Sequence, residues 1–358
     1  MSRKNLISFA GIALLAAGAV FIFTPRVLHL WRAVRPAVAP APQDIAELIE
    51  QAEAPEPAPA RPTENTTGMP LTLPPGFSIS IFARDLGSPR VMAFGPEGAL
   101  YASITSQGKI LALRDRDGDG RAEDVRVVAE KLNKPHGLAF RCEFERCKLF
   151  VAEANAVSTY DIEPGTLRAV NRKKIIDLPA DGGHFTRTLM FLPYPNENKL
   201  LISVGSSCNV CEEKDWRRSK VLIANADGSD LKVFASGLRN AVFLETHPVT
   251  GAVWATEMGR DRLGDNLPPD EINIVEEGKD YGWPVCYGKN IHDTQFDKKT
   301  YVRDPCADKM APQIELQAHS APLGIAFVPE EGWPEEYWYN ALVAYHGSWN
   351  RSDPTGYT

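Results

Sequence analysis

Five short stretches of the chain end their first apolar run in phenylalanine, at Phe94, Phe140, Phe191, Phe243 and Phe327. Four residues before each stand Arg90, His136, Arg187, Arg239 and Leu323. Four of these five positions carry a guanidinium or an imidazole. If the stretches are structurally equivalent, their side chains form a ring. Such a ring suits an anionic ligand, because guanidinium forks match carboxylates in pairs of hydrogen bonds. The competing role for an arginine here is to brace one repeat against the next. A second candidate lies beside the ring in "DGGHFTRTLMF" from Asp181, where Gly182 and Gly183 precede His184. An imidazole titrates near working pH and is suited to taking or giving a proton. The two glycines would let the backbone approach a group on the ring's axis.

The elements that position these residues follow from the repeat. Each phenylalanine is followed by a turn rich in Pro, Gly, Asn or Glu and then by an alternating β-branched or aromatic strand, the pattern of a β-hairpin. The steps between phenylalanines are 46, 51, 52 and 84 residues. Steps near fifty without helical periodicity predict propeller blades, so the fold class is all-β. The long last step holds an insertion between Cys286 and Cys306. The six cysteines fall as Cys142/Cys147, Cys208/Cys211 and Cys286/Cys306, which predicts three local disulfides and an oxidising compartment. A zinc site would need four convergent ligands, and these pairs lie far apart in sequence. "CNVCE" lacks the histidine of a covalent haem site.

At the N-terminus, residues 1–35 contain an uncharged apolar run from Leu6 to Phe23, long enough to span a bilayer, behind Arg3 and Lys4. An uncleaved signal anchor fits better than a cleaved leader, since no early small-x-small site follows. Residues 36–70 are rich in Pro, Ala and Glu and read as a linker. The folded domain is then 71–358. A net charge of −7 and no basic stripe argue against nucleic acid as partner.

Several motifs occur in one order: "LPPGFSISIFA", "GGHFTRTL", "SVGSSCNVC", "GLRNAV", "TEMGRD", "DEINIVEEGKDYGWP" and "YHGSWNRSDPTGY". Through them, over about 73–357, the chain resembles the soluble PQQ-dependent sugar dehydrogenases, sorbosone dehydrogenase-like members included. The resemblance implies a six-bladed β-propeller that binds pyrroloquinoline quinone (PQQ), a tricarboxylate, over calcium. It implies oxidation of an aldose, pyranose or sorbosone-like sugar by hydride transfer, with His184 as general base. Arg239 and Asn240 match the pair that contacts the quinone oxygens. Gly259 and Arg260 match two backbone carbonyls on the calcium, with Arg260 where the family has proline. His136, Arg187, His319, Trp349 and Arg351 fall in segments implied to line the cofactor pocket. Soluble glucose dehydrogenases carry Asp where this chain has Gly183, so the base is expected to lack an orienting partner.

The remaining expectations concern boundaries and rivals. The resemblance implies that the chain stops after the fifth repeat, before the inner strands of the sixth blade, and that Phe77–Ala83 forms an outer strand of that blade. "DEINIVEEGKDYGWP" is expected to be architectural, including Asp270 and Glu271. "DRDGDGRAED", residues 115–124, is expected to be a tight acidic hairpin, with a structural calcium as the alternative; Arg126 stands where an EF-hand needs glutamate. A calcium-dependent lactonase-type hydrolase would place carboxylates around the channel. A binding propeller without chemistry would leave His184 and Arg239 as spectators. The favoured reading is a membrane-anchored dehydrogenase facing the periplasm, with a cytochrome or quinone as electron acceptor.

Overall fold

Each expected hairpin opens a sheet in the computed structural model, which describes residues 63–356 apart from residue 145. The expected anchor and most of the linker lie outside the described residues. No helix among the described residues is long and apolar enough to cross a membrane. The described residues up to Ile79 belong to a first unit, in which Glu64–Asn65 pairs in parallel with Ser78–Ile79. The strand expected over Phe77–Ala83 is therefore only two residues long, and its partner is local.

From Ser80 onward the second unit holds four antiparallel blades of four strands. The first blade comprises Val91–Phe94, Leu100–Ile104, Lys109–Arg114 and Asp124–Ala129. The second comprises Leu138–Glu143, Arg146–Glu153, Ala156–Ile162 and Ala169–Asp177. The third comprises Leu189–Phe191, Lys199–Val204, Lys220–Asn225 and Lys232–Ser236. The fourth comprises Ala241–Thr246, Val253–Glu257, Asp270–Ile274 and Ile314–Leu316. A fifth sheet is a pair, Pro322–Phe327 with Ala341–Tyr345. The long last repeat step is explained by the excursion before Ile314–Leu316, which carries a small hairpin, Cys286–Tyr287 with Ile291–His292.

The repeated phenylalanine is a joint between blades. Phe140 of the second blade meets Tyr101 of the first at 4.7 Å between ring centroids, edge to face. Phe191 meets Phe150 of the second blade at 4.9 Å. Phe327 meets Trp254 of the fourth at 5.6 Å. In each case the first strand of one blade lays an aromatic ring on the second strand of its predecessor, a geometry favoured by the ring quadrupoles. The apolar clusters likewise join neighbouring blades: Leu200, Ile202 and Leu222 of the third pack with Phe150 and Ala152 of the second.

All three expected disulfides are formed. Cys142–Cys147 ties a hairpin and Cys286–Cys306 closes the excursion. Asp270 and Glu271 are architectural, as expected. Asp270 accepts from the amides of Gly259 (2.9 Å) and Ala321 (2.8 Å). Glu271 accepts from the Gly288 amide (2.8 Å) and from the Asn273 side chain (3.0 Å). The segment 115–124 is a turn between two strands in which Asp115 takes the amides of Gly118 and Gly120. Its carboxylates at Asp115, Asp117, Asp119 and Glu123 converge within 4.8 Å and are mostly exposed.

Candidate active site

His184 sits on the segment leading into the third blade, behind the two glycines. Gly182 has φ +100°, and a Cβ there would lie 2.5 Å from the Cα of Ser207. The Gly183 amide donates to the Ser207 carbonyl (2.7 Å) and the His184 amide to the Ser206 carbonyl (3.0 Å). Gly182 thus lets the backbone approach the 205–207 segment, whereas a Cβ at Gly183 would meet nothing closer than the Ser207 carbonyl at 3.4 Å. Gly205 completes the fit, since a Cβ there would meet Asn240 Oδ1 at 2.4 Å and His184 Cβ at 2.7 Å.

The imidazole is oriented after all, despite Gly183. His184 Nδ1 lies 2.8 Å from Ser206 Oγ and 3.1 Å from the Ser206 carbonyl. The Ser206 hydroxyl donates to the Cys208 carbonyl at 2.7 Å. A hydroxyl has one hydrogen, so Ser206 Oγ can only accept from His184. Both oxygens therefore require a proton on Nδ1, which leaves the lone pair on Nε2. Burial and the positive charge of Arg239 push the His184 pKa down to about 3, so the ring is neutral at ordinary pH. Its carbonyl is held by two buried guanidiniums, Arg187 and Arg218, each at 3.3 Å, and both also reach Pro179 O.

Arg239 enters from the start of the fourth blade. Its Nε donates to Asn209 O (2.8 Å), its Nη1 to the carbonyls of Met258 (3.1 Å) and Gly259 (2.9 Å), and its Nη2 to Asn209 Oδ1 (3.0 Å). Asp261 lies 3.4 Å from the same Nη2. The next residue, Asn240, gives its backbone amide to Glu257 Oε1 at 2.8 Å. Glu257 is buried, and desolvation raises its pKa well above the usual carboxylate value. A small open cleft borders this side, lined among others by Arg239, Glu257, Gly259, Arg260, Glu271 and Trp283.

The other ring members divide. His136 is fully buried, and neither ring nitrogen has a hydrogen-bond partner among the described residues. Burial first, then Arg90 and Arg187, push its pKa down to about 3. Arg90 lies over the Phe185 ring at 5.9 Å, and its buried Nε is likewise without a partner. Arg187 is turned to main-chain carbonyls, Thr186 (2.6 Å) and Pro179 (2.5 Å) among them, so at this position the guanidinium braces the segment that leads into its own blade. Burial and neighbouring Arg218 and Arg217 lower its pKa to about 9, which still leaves it charged.

Farther out, His319 Nε2 donates to Gly264 O (2.9 Å), while Asn350 Nδ2 donates to Asp261 Oδ1 (3.2 Å) and lies 3.4 Å from His319 Nδ1. Asp261 and Asn350 thereby join His319 to Arg239. Arg351 bonds the carbonyls of Asp265, Ala318 and Asp353. Trp349 is 73% exposed and lines nothing in this arrangement. The Arg260 side chain leaves the site for a buried ion pair with Asp293 at 2.6 Å, so only its backbone could serve there. The sequence reading gave no role to Ser206, Asn209, Arg218, Glu257 or Asp261, although "SVGSSCNVC" and "TEMGRD" had marked four of these positions.

The residues present fit a polycarboxylate. The buried Arg90 Nε–H and the one ring N–H of neutral His136 are donors without a partner among the described residues, and a carboxylate could accept from them. The fit to a cation rests on the 258–259 turn. Of the two carbonyls expected to hold it, that of Gly259 accepts from the Arg239 guanidinium and so faces positive charge.

Residues 71–358 match the TrAA12-like family model. An uncharacterized protein of Borreliella burgdorferi is 29% identical over 299 residues, covering 80% of this chain and 75% of that protein. The pyrroloquinoline quinone-dependent pyranose dehydrogenase of Coprinopsis cinerea is 24% identical over 326 residues, 79% of this chain; the match spans only 43% of that relative's length. The holo PQQ domain of the Coprinopsis cinerea pyranose dehydrogenase superposes with TM-score 0.65 at 21% identity, over 77% of this chain and 75% of that one. The apo aldose sugar dehydrogenase of Escherichia coli gives 0.56 at 18%, over 76% and 86%. At these identities the superpositions establish a shared fold. The match across 71–358 shows that the chain belongs to the TrAA12-like family.

Proposed function

We propose that the protein oxidises a sugar, an aldose or pyranose, with PQQ as hydride acceptor and His184 as general base. The observation that carries this reading is the His184 imidazole, anchored through Nδ1–H with an unengaged Nε2 beside Arg239 and Asn240. Nε2 takes the proton of a substrate hydroxyl. Arg239 and Asn240 would lie beside the carbonyl oxygens that gain charge, where the fixed positive charge of the guanidinium and the Asn240 side-chain amide would lower such a barrier. Arg90 and His136 supply donors to carboxylates. The backbone carbonyls of Gly259 and Arg260 would hold calcium. PQQ, when bound, supplies an electrophilic quinone carbon that accepts hydride.

Burial supports the same assignment from another side. A nearly dry site strengthens each charge interaction and keeps water from the transferred hydride. The low pKa of free His184 comes from desolvation and from Arg239. Carboxylates placed against that guanidinium would cancel the second cause and raise the basicity of Nε2 toward its working range.

The full architecture proposed is a six-bladed propeller on an N-terminal membrane anchor, facing the periplasm and passing electrons to a cytochrome or quinone. A lactonase-type reading is disfavoured by the buried acids near the channel, since Asp270 and Glu271 are engaged by amides and an asparagine. The test is to add PQQ and calcium to the purified protein and follow dye reduction with a panel of aldoses. Sugar-dependent reduction that EDTA abolishes is expected. Lactone hydrolysis without any dye reduction would overturn the reading.

A further inference from the structure

We propose that Ser206 is a positioning residue for His184 and that the Cys208–Cys211 disulfide holds Ser206 in its working orientation. The inference rests on the reading of His184 as the base, and it adds the device that sets which nitrogen is basic. Three oxygens decide the tautomer: Ser206 Oγ and Ser206 O at His184 Nδ1, and Cys208 O at Ser206 Oγ. The Cys208 carbonyl takes the only hydroxyl hydrogen. While it does so, Ser206 must accept from Nδ1–H and Nε2 must carry the lone pair.

Removing that carbonyl changes the outcome. The free hydroxyl can rotate and donate to Nδ1, which stabilises the tautomer with its proton on Nε2. That tautomer cannot take a proton from substrate at Nε2. The carbonyl's place is fixed by the four-residue loop 208–211, closed through Cys208 and Cys211. The same loop carries Asn209, which takes two hydrogens of Arg239 and holds the Asp261 amide at 2.8 Å. Glu213 pins its entry, accepting from the amide and the hydroxyl of Ser207, both at 2.7 Å. One covalent clip therefore stands behind both the imidazole and the guanidinium.

The disulfide is partly accessible, whereas Cys286–Cys306 is buried. A dithiol reductant gives two electrons and two protons to Cys208–Cys211. The S–S bond breaks, two thiols form, and the reductant leaves as its cyclic disulfide.

The test uses the full chain with ¹⁵N-labelled histidine. The seven histidines are resolved by long-range proton–nitrogen correlation, with His184→Gln to assign the signal. Wild type is expected to show the Nδ1–H form at His184. In Cys208→Ala/Cys211→Ala the ratio should move about fivefold toward Nε2–H, the size of one net neutral hydrogen bond. Adding Ser206→Ala to that variant should restore the wild-type ratio, because the backbone carbonyl of residue 206 still takes Nδ1–H and no hydroxyl can oppose it. A merely structural loop gives no such rescue. If the double variant does not fold, mildly reduced wild type is read by the same spectrum, with unreduced Cys142→Ala/Cys147→Ala, which opens a different clip, as the control that should keep the wild-type ratio. An unchanged ratio with the clip open, or a change that persists in the Ser206→Ala background, overturns the inference. The spectrum needs no PQQ, so its result is told apart from a failure of the dye assay.

Discussion

Acidification should destabilise this protein through His136 by an amount that can be worked out in advance. The ring is fully buried and its pKa falls to about 3, from an ordinary 6.5. The unfolded chain therefore binds a proton first as pH drops. Stability contributed by the neutral imidazole is complete above 6.5 and is lost between 6.5 and about 3, because there the unfolded state holds more protons. At pH 5 the unfolded histidine is favoured by protonation by about thirtyfold, or ~2 kcal/mol. That figure depends on the unfolded pKa alone so long as the folded one stays well below 5.

The wild-type profile alone would hide the effect. Burial raises Glu271 to about 7 and Asp270 to about 6, and these groups act with the opposite sign. They disfavour the fold once pH rises through the window from their unfolded values to those folded ones, and acidification relieves them. The clean measurement is a double difference: urea unfolding of wild type and His136→Gln at pH 8 and pH 5. The carboxyl contributions cancel, as does any pH-independent cost of the substitution. Wild type should lose ~2 kcal/mol more than the variant between the two pH values. Parallel profiles would refute the buried neutral imidazole, and with it the claim that His136 stands in the ring without a partner.

Other measurements probe the site directly. His184→Ala should lower dye-linked turnover by roughly two to four powers of ten while PQQ affinity changes little, the usual contribution of a general base; turnover near wild type would remove the assignment. Arg239→Ala should weaken both PQQ binding and turnover, followed by quinone absorbance and steady-state kinetics, since its guanidinium faces the Gly259 turn and Asn209 together. The His184 ring should titrate near 3 in the free protein, and its pKa should rise when PQQ is bound, read from its ¹⁵N shifts; a further fall would contradict the role given to Arg239. Non-reduced peptide mapping should recover the 142–147, 208–211 and 286–306 linkages, with 286–306 the last to yield to reductant because its sulfurs are buried.

What could be read from the sequence was what repeats or is local. The phenylalanines announced the blades because each performs the same packing job at a joint, as Phe140 on Tyr101 and Phe191 on Phe150 show. The cysteine pairs were legible because each closes a local loop. The ring was legible as a set of positions, but what its members do was not uniform. Arg187 and Arg239 occupy equivalent places, yet one meets the carbonyls of its own segment and the other joins its own blade's 258–259 turn to Asn209 of the third blade. The role of Ser206 was hidden because it depends on a contact 22 residues away in the chain. Asn209 reaches Arg239 across 30 residues and Arg218 reaches His184 across 34. No periodicity encodes such meetings. Gly183 misled in a specific way: the loss of a carboxylate beside the base implied a free imidazole, while an orienting hydroxyl came from another loop.

The placement of so many guanidiniums around a base is itself informative. Arg239, Arg218 and Arg187 all depress the basicity of His184, and a protein that needed only a neutral histidine could achieve that by burial alone. Their cost makes sense if a bound polyanion meets them, because the same charges that weaken the empty base attract such a ligand and are neutralised by it. Basicity at Nε2 would then recover only where the hydride acceptor is already seated. Proton abstraction without an acceptor is unproductive, and on the proposed reading this arrangement would suppress it without any moving part. In that reading the tautomer lock through Ser206 would set which atom is basic, and the arginine cluster would set when.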